Sequence, residues 1–209
     1  MHIKATAASL VLVAFLASAS AAVADPPNFD FFGYAQVSDV TNSSLTVRSV
    51  LTNNGVVPTP ILLDFVNKQY TLVLTGTLNS IVGVARNYTA ATCAIYEDAI
   101  GGGTAADYAT AGTFTDGTLI LSGNFAGPLV RNRFTATLGN FIGTVNFSAG
   151  TRLGDLSTPQ GWPCGGGWSR SVTGIPSGYQ ENWDGKIDLS PVAVEEKTWN
   201  GVKQLYRSR

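Results

Sequence analysis

The chain has 209 residues, enough for one domain with a real core, and a formal charge of −1. Charged residues are few, and lysine and arginine nowhere form a run, which argues against nucleic acid as a partner. Histidine occurs once, at His2, so a chain that loses its N-terminus has no Ser-His-Asp triad, Cys-His pair or His-ligated zinc.

That loss is expected. Lys4 precedes the apolar stretch "ASLVLVAFLA", which is shorter than the ~20 residues of a spanning helix. Ala22-Val23-Ala24 then forms an A-x-A cleavage site. Residues 1–24 read as a secretory signal peptide, which places the mature chain in the periplasm or at the cell exterior. Without Lys4, twelve bases face fourteen acids, a formal charge of −2. No later segment is apolar enough to span a bilayer.

Residues 25–190 read as one antiparallel β-domain. Strands are expected at 29–38, 44–52 and 61–66. In "YTLVLTGTL", Leu72, Leu74 and Leu78 share one face, and Thr71, Val73, Thr75 and Thr77 the other. Residues 90–97 form a further candidate, followed by a flexible loop over "EDAIGGGTAADY". Asp116-Gly117 signals a hairpin. "TLILSGNF" aligns Leu119, Leu121 and Phe125. "RNRFTATL" aligns Phe134, Ala136 and Leu138, and "FIGTVNF" aligns Phe141, Val145 and Phe147 with Gly143. Outward positions are Thr, Arg and Asn, unlike the apolar belt of an outer-membrane barrel. Gly76 and Gly123 sit inside strands, where glycine marks bends or bulges. The fold class is therefore all-β, either one antiparallel barrel or a two-sheet sandwich.

Residues 161–180 are rich in Gly and Pro and read as a surface loop, with a further strand candidate at 167–173. In "QENWDGKIDLSP", a calcium loop with Asp184 at position five would put Gln180 at position one and Pro191 at position twelve, so both decisive ligands are missing. The stretch reads as a hairpin turn at Asp184-Gly185, with Asp184 and Asp188 as the candidates for a weak cation site. In the tail, 191–209, Trp199, Val202 and Tyr206 fall at helical spacing, so a short helix docking on the domain is expected.

The strands around "FTDGTLILSG", the "IPSGYQENWDGKIDL" stretch and the closing "TWNGVKQLYR" resemble secreted bacterial all-β proteins of uncharacterised activity whose ends follow a TWxxxKxLYR-like pattern. That resemblance implies export and an all-β body, and no activity. The barrel character is also similar to allene-oxide-cyclase and dirigent-type barrels, although none of their motifs is matched residue by residue.

Cys93 and Cys164 are an even pair in an exported chain, so a disulfide is expected. Closing a loop of about seventy residues would add roughly 4 kcal/mol in the chain-entropy model. Trp162, Trp168, Tyr179 and Trp183 cluster within twenty-two residues. Such rings either stack on a glycan or cover one end of the β-domain. Glu97 with Asp98, or Asp184 with Asp188, could serve as an acid and base, but neither spacing forces a shared cleft, so no catalytic residue is assigned. No cofactor is implied. The expected function is a secreted, non-enzymatic binding or display domain with glycans or cell-surface components as partners. The alternative is a small barrel enzyme or carrier for an apolar ligand held inside.

Overall fold

The computed structural model describes residues 26–188, except 54 and 56. The expected signal peptide and the tail with its expected helix lie outside the described residues. Nine strands run in chain order: β1 (Asn28–Gln36), β2 (Ser44–Leu51), β3 (Lys68–Val82), β4 (Ala85–Ala99), β5 (Thr118–Phe125), β6 (Leu129–Arg133), β7 (Leu138–Ala149), β8 (Trp162–Ser169) and β9 (Glu181–Asp188). Every pairing is antiparallel. β9 pairs back onto β1, so the sheet closes on itself. β5 and β6 share one place in the wall. Both lie between β4 and β7, and Ala126-Gly127-Pro128 separates them. The result is a closed eight-stranded antiparallel barrel, which excludes the sandwich.

The turns at 37–43, 83–84, 134–137 and 170–180 gather at one end of the barrel. The longer connections 52–67, 100–117 and 150–161 leave from the other, and 100–117 folds back along the outer wall, where Tyr108 meets Tyr34 and Tyr179. Among the described residues no helix is long and apolar enough to cross a membrane.

Alternation works as read in β3, where Leu72, Leu74 and Leu78 are fully buried. Gly76 and Gly123 sit beside register shifts, as expected of residues that let a sheet curl. Three local expectations fail. Residues 61–66 are not a strand. "RNRFTATL" breaks after Arg133, because the Thr135 hydroxyl accepts the backbone N–H groups of Thr137 and Leu138 and fixes a turn. Phe134 and Leu138 are consequently exposed. Asp116-Gly117 ends a long connection and joins no pair of strands.

The correction of most consequence is at 161–188. "WPCGGGWS" is strand β8, and Asp184-Gly185 lies in the middle of β9, not in a turn. Trp162, Cys164, Gly166 and Trp168 alternate inward on β8, as do Trp183, Gly185 and Ile187 on β9. Glycine is needed at 185 for space. A Cβ there would stand 2.5 Å from Phe141 Cζ and 3.1 Å from Phe31 Cζ. The missing side chain lets Phe141 stack on Trp183 at 4.1 Å between centroids and 18° between planes. Towards the long-connection end, Phe29 packs on Trp162 at 6.0 Å, with Phe147 edge-on to both. These aromatic rings, from β1, β7, β8 and β9, fill the middle of the barrel.

Gly185→Ala should therefore overpack the interior and lower unfolding stability by about 1–3 kcal/mol in a urea titration. A variant as stable as the parent would mean that the rings can move aside and that the packing is looser than described.

Candidate functional site

The barrel interior changes character towards the short-turn end. Below the Phe141–Trp183 stack it is apolar. Above it stand Arg131 from β6 and Glu181 from β9, both with fully buried side chains. Alternation places each of them inward: Arg131 follows Leu129, and Glu181 precedes Trp183. Arg131 donates through Nε and Nη2 to the two carboxylate oxygens of Glu181. This two-pronged geometry is the strong form of an arginine–carboxylate pair. The same carboxylate accepts Nε of Arg170 at 2.9 Å and Nε1 of Trp183 at 3.0 Å. The Arg131 guanidinium also lies over the Trp168 ring, 4.1 Å from its centroid. The charge is thus paired, hydrogen-bonded and stacked, which is what a buried ion requires.

A second carboxylate, Asp39, reaches in from the β1–β2 turn. It accepts Nη1 of Arg131 at 2.9 Å and Nη1 of Arg133 at 2.7 Å. Arg86 stands 3.4 Å away and Arg170 3.7 Å. Burial acts to raise the Asp39 pKa, but the guanidiniums of Arg131, Arg86 and Arg170 outweigh it and hold the carboxyl below its ordinary value. Beside this network the buried Tyr88 hydroxyl has no hydrogen-bond partner, and burial pushes its pKa up to about 12. Arg86 Nε is likewise buried without a hydrogen bond.

This site was not legible as a cluster. Arg86, Arg131, Arg133 and Arg170 are scattered along the chain, and only the closed sheet brings them together. The one local signal is "LVRNR", where Arg131 occupies an inward position of an alternating strand.

The residues singled out from the sequence are placed differently. Trp162, Trp168 and Trp183 are 1, 2 and 0 % exposed, so they present no face to a glycan, and the stacking site expected of them is corrected. They fill the barrel because period-two alternation turns all three inward. Tyr179 lies apart, on the outer wall, with Tyr34 and Tyr108. Asp184 is exposed and Asp188 buried on the same strand, four residues or roughly 13 Å apart, too far to share a cation. Asp188 pairs instead with Lys186 at 3.0 Å. Among the described residues, no three His, Cys, Asp or Glu side chains converge on a metal position. Glu97 accepts the Tyr70 hydroxyl and pairs with Lys68, while Asp98 bonds the adjacent Ala99 N–H, so the two form no acid–base pair.

The expected disulfide is also corrected, because Cys93 and Cys164 are buried free thiols. They lie on β4 and β8, with the β5/β6 position and β7 between them in the wall. Opposite Cys93 stand Gly123 and then Phe147, whereas Cys164 pairs with Gly143. Both therefore reach the interior from different parts of the wall, and they do not bond to each other. Burial raises both thiol pKa values, that of Cys164 to about 12.

A cleft of about 380 Å³ opens at the opposite end, lined by Leu51, Phe65, Lys68, Tyr70 and Ile100 among others, and none of its lining residues is acidic. Comparison with protein families, curated proteins and solved structures finds no match for this chain.

The Asp39 shift has a definite sign. Its folded pKa lies below the unfolded value, so it stabilises the fold above about pH 4 and ceases to do so as pH falls through the folded value. Urea titrations between pH 6 and pH 2 should show a shallower acid loss in Asp39→Asn than in the parent. Equal slopes would contradict the arginine cage around Asp39.

Proposed function

We propose that this chain is an exported β-barrel that acts through its surfaces, as a non-enzymatic binding or display domain. The observation that carries this reading is the filled interior. Phe31, Phe141, Trp162 and Trp183 occupy the barrel axis with at most 1 % exposure, and the Arg131–Glu181 pair stands above them. A barrel that holds an apolar ligand inside needs a lined cavity of at least ~300 Å³, and the cleft of about 380 Å³ opens at the long-connection end, not among these rings. The chemistry of the chain supports the same reading. The buried carboxylate is fully engaged by arginines and a tryptophan, and the thiols are buried among apolar side chains with raised pKa values. The signal-peptide pattern and the resemblance to secreted bacterial β-proteins support export.

A fluorescent fatty-acid analogue separates this from the carrier reading. The parent protein should show no saturable binding. Trp183→Ala, which removes a fully buried ring, should lose about 3–5 kcal/mol of stability and gain a site for the probe. Micromolar binding by the parent, with quenching of the buried tryptophans, would reverse the proposal in favour of a carrier.

A further inference from the structure

The two ends of the barrel differ in charge. The described residues carry eight lysines and arginines against eleven aspartates and glutamates. The short-turn end holds four of those bases, Arg86, Arg131, Arg133 and Arg170, and two of the acids, Asp39 and Glu181. That end is therefore positive by two charges, and the rest of the described chain is negative by five. Two buried polar groups of that end, the Tyr88 hydroxyl and Arg86 Nε (3.4 Å from Asp39), have no hydrogen-bond partner. Arg133 and Arg170 keep 28 and 27 % of their side chains accessible. Backbone carbonyls of Gly83, Val84, Thr135 and Ala136 take further donors of Arg86 and Arg133, but they carry no charge, so the net positive charge of this end remains.

The same end is apolar at its tips. Val40, Val82, Val84, Phe134, Leu138 and Val172 are 45–67 % exposed and lie on its turns or at the strand ends beside them. Backbone bonds hold these turns side by side: Arg133 N–H donates to Val84 C=O at 2.9 Å, and Arg170 N–H to Thr137 C=O at 2.8 Å. Exposed apolar side chains also occur at the other end, at Leu62, Val66 and Ile100. There the surrounding charge is acidic, so only the short-turn end combines apolar tips with positive charge.

We infer that the short-turn end docks on an anionic phospholipid surface, with the apolar tips entering the headgroup boundary and Arg133 and Arg170 meeting lipid phosphates. The inference rests on the proposed function, since it names the surface through which a filled barrel binds. Apolar insertion and attraction to anionic lipid are the two contributions that hold proteins at such an interface, and both fall on one face here. The acidic remainder of the molecule is repelled by the same surface, which fixes the orientation with the strands standing on the membrane.

Co-sedimentation of the signal-processed full chain with phosphatidylglycerol-containing vesicles tests this. Binding should be at least about tenfold tighter than to pure phosphatidylcholine, and it should weaken strongly as salt is raised. Arg133→Gln with Arg170→Gln should lower it roughly tenfold or more. Those arginines also pair with Asp39 and Glu181, so a second variant avoids the network. Val84→Ser with Phe134→Ser touches only exposed tips, and should weaken vesicle binding severalfold with an unchanged melting curve. No binding by the parent, equal binding to neutral vesicles, or an unaffected tip variant would overturn the inference. So would full competition by millimolar inorganic phosphate, which would indicate a small-anion site, or concentration-dependent self-association in sedimentation velocity, which would place a second copy on this face. Such a failure leaves the filled-barrel reading standing, because that reading is decided by the apolar probe.

Discussion

The short-turn end of this barrel depends on one buried ion pair. Arg131 and Glu181 face each other across the interior from walls three strand positions apart, with no side-chain exposure on either. Removing two charges from water costs several kcal/mol each, and their attraction compensates only when the remaining donors and acceptors are also satisfied. That condition dictates the surroundings. Trp183 and Arg170 complete the Glu181 carboxylate, while Asp39 and the Trp168 ring complete the Arg131 guanidinium. Through these contacts the β1–β2 and β8–β9 turns are tied to β6 and β9.

Closure of the sheet imposes the second constraint. An eight-stranded barrel has an interior just wide enough for side chains to fill. Here large rings and absent side chains are matched to one another. Phe141 lies where a Cβ on Gly185 would stand, and the Phe125 ring passes 2.6 Å from the Cβ position of Gly143. The axis is occupied in this way. The ends become the distinctive features, one arginine-rich and the other acidic.

How much of this the sequence discloses depends on the range of each interaction. Period-two alternation is local, so β1, β2, β3 and β7 and their buried residues are readable directly. The all-β class follows from them. "WPCGGGWS" also alternates, but its Gly and Pro content reads as a surface loop, and only the closed sheet shows it as β8. A glycine-rich inner face is legible as a strand only when the ring that fills the space is known, and Phe141 is more than twenty residues away. The Asp-Gly pair at 184–185 misled for the same reason: a glycine required by packing looks like one required by a turn. A disulfide between the cysteines is expected only from export and an even count, and the fold sets them on β4 and β8 as free thiols. The arginine cluster is wholly a product of closure, because its members come from β4, β6 and the residue following β8.

The central claim is that the Arg131–Glu181 pair acts as a unit that holds the short-turn end together. A double-mutant cycle tests it most directly, with Arg131→Met and Glu181→Leu made singly and together and their unfolding free energies measured in urea. Each single change should cost about 3–5 kcal/mol, because it leaves one charge buried without its partner, and the double variant should cost much less than the sum. Additive losses would contradict the claim, since they would mean that the two groups do not depend on each other in the folded barrel.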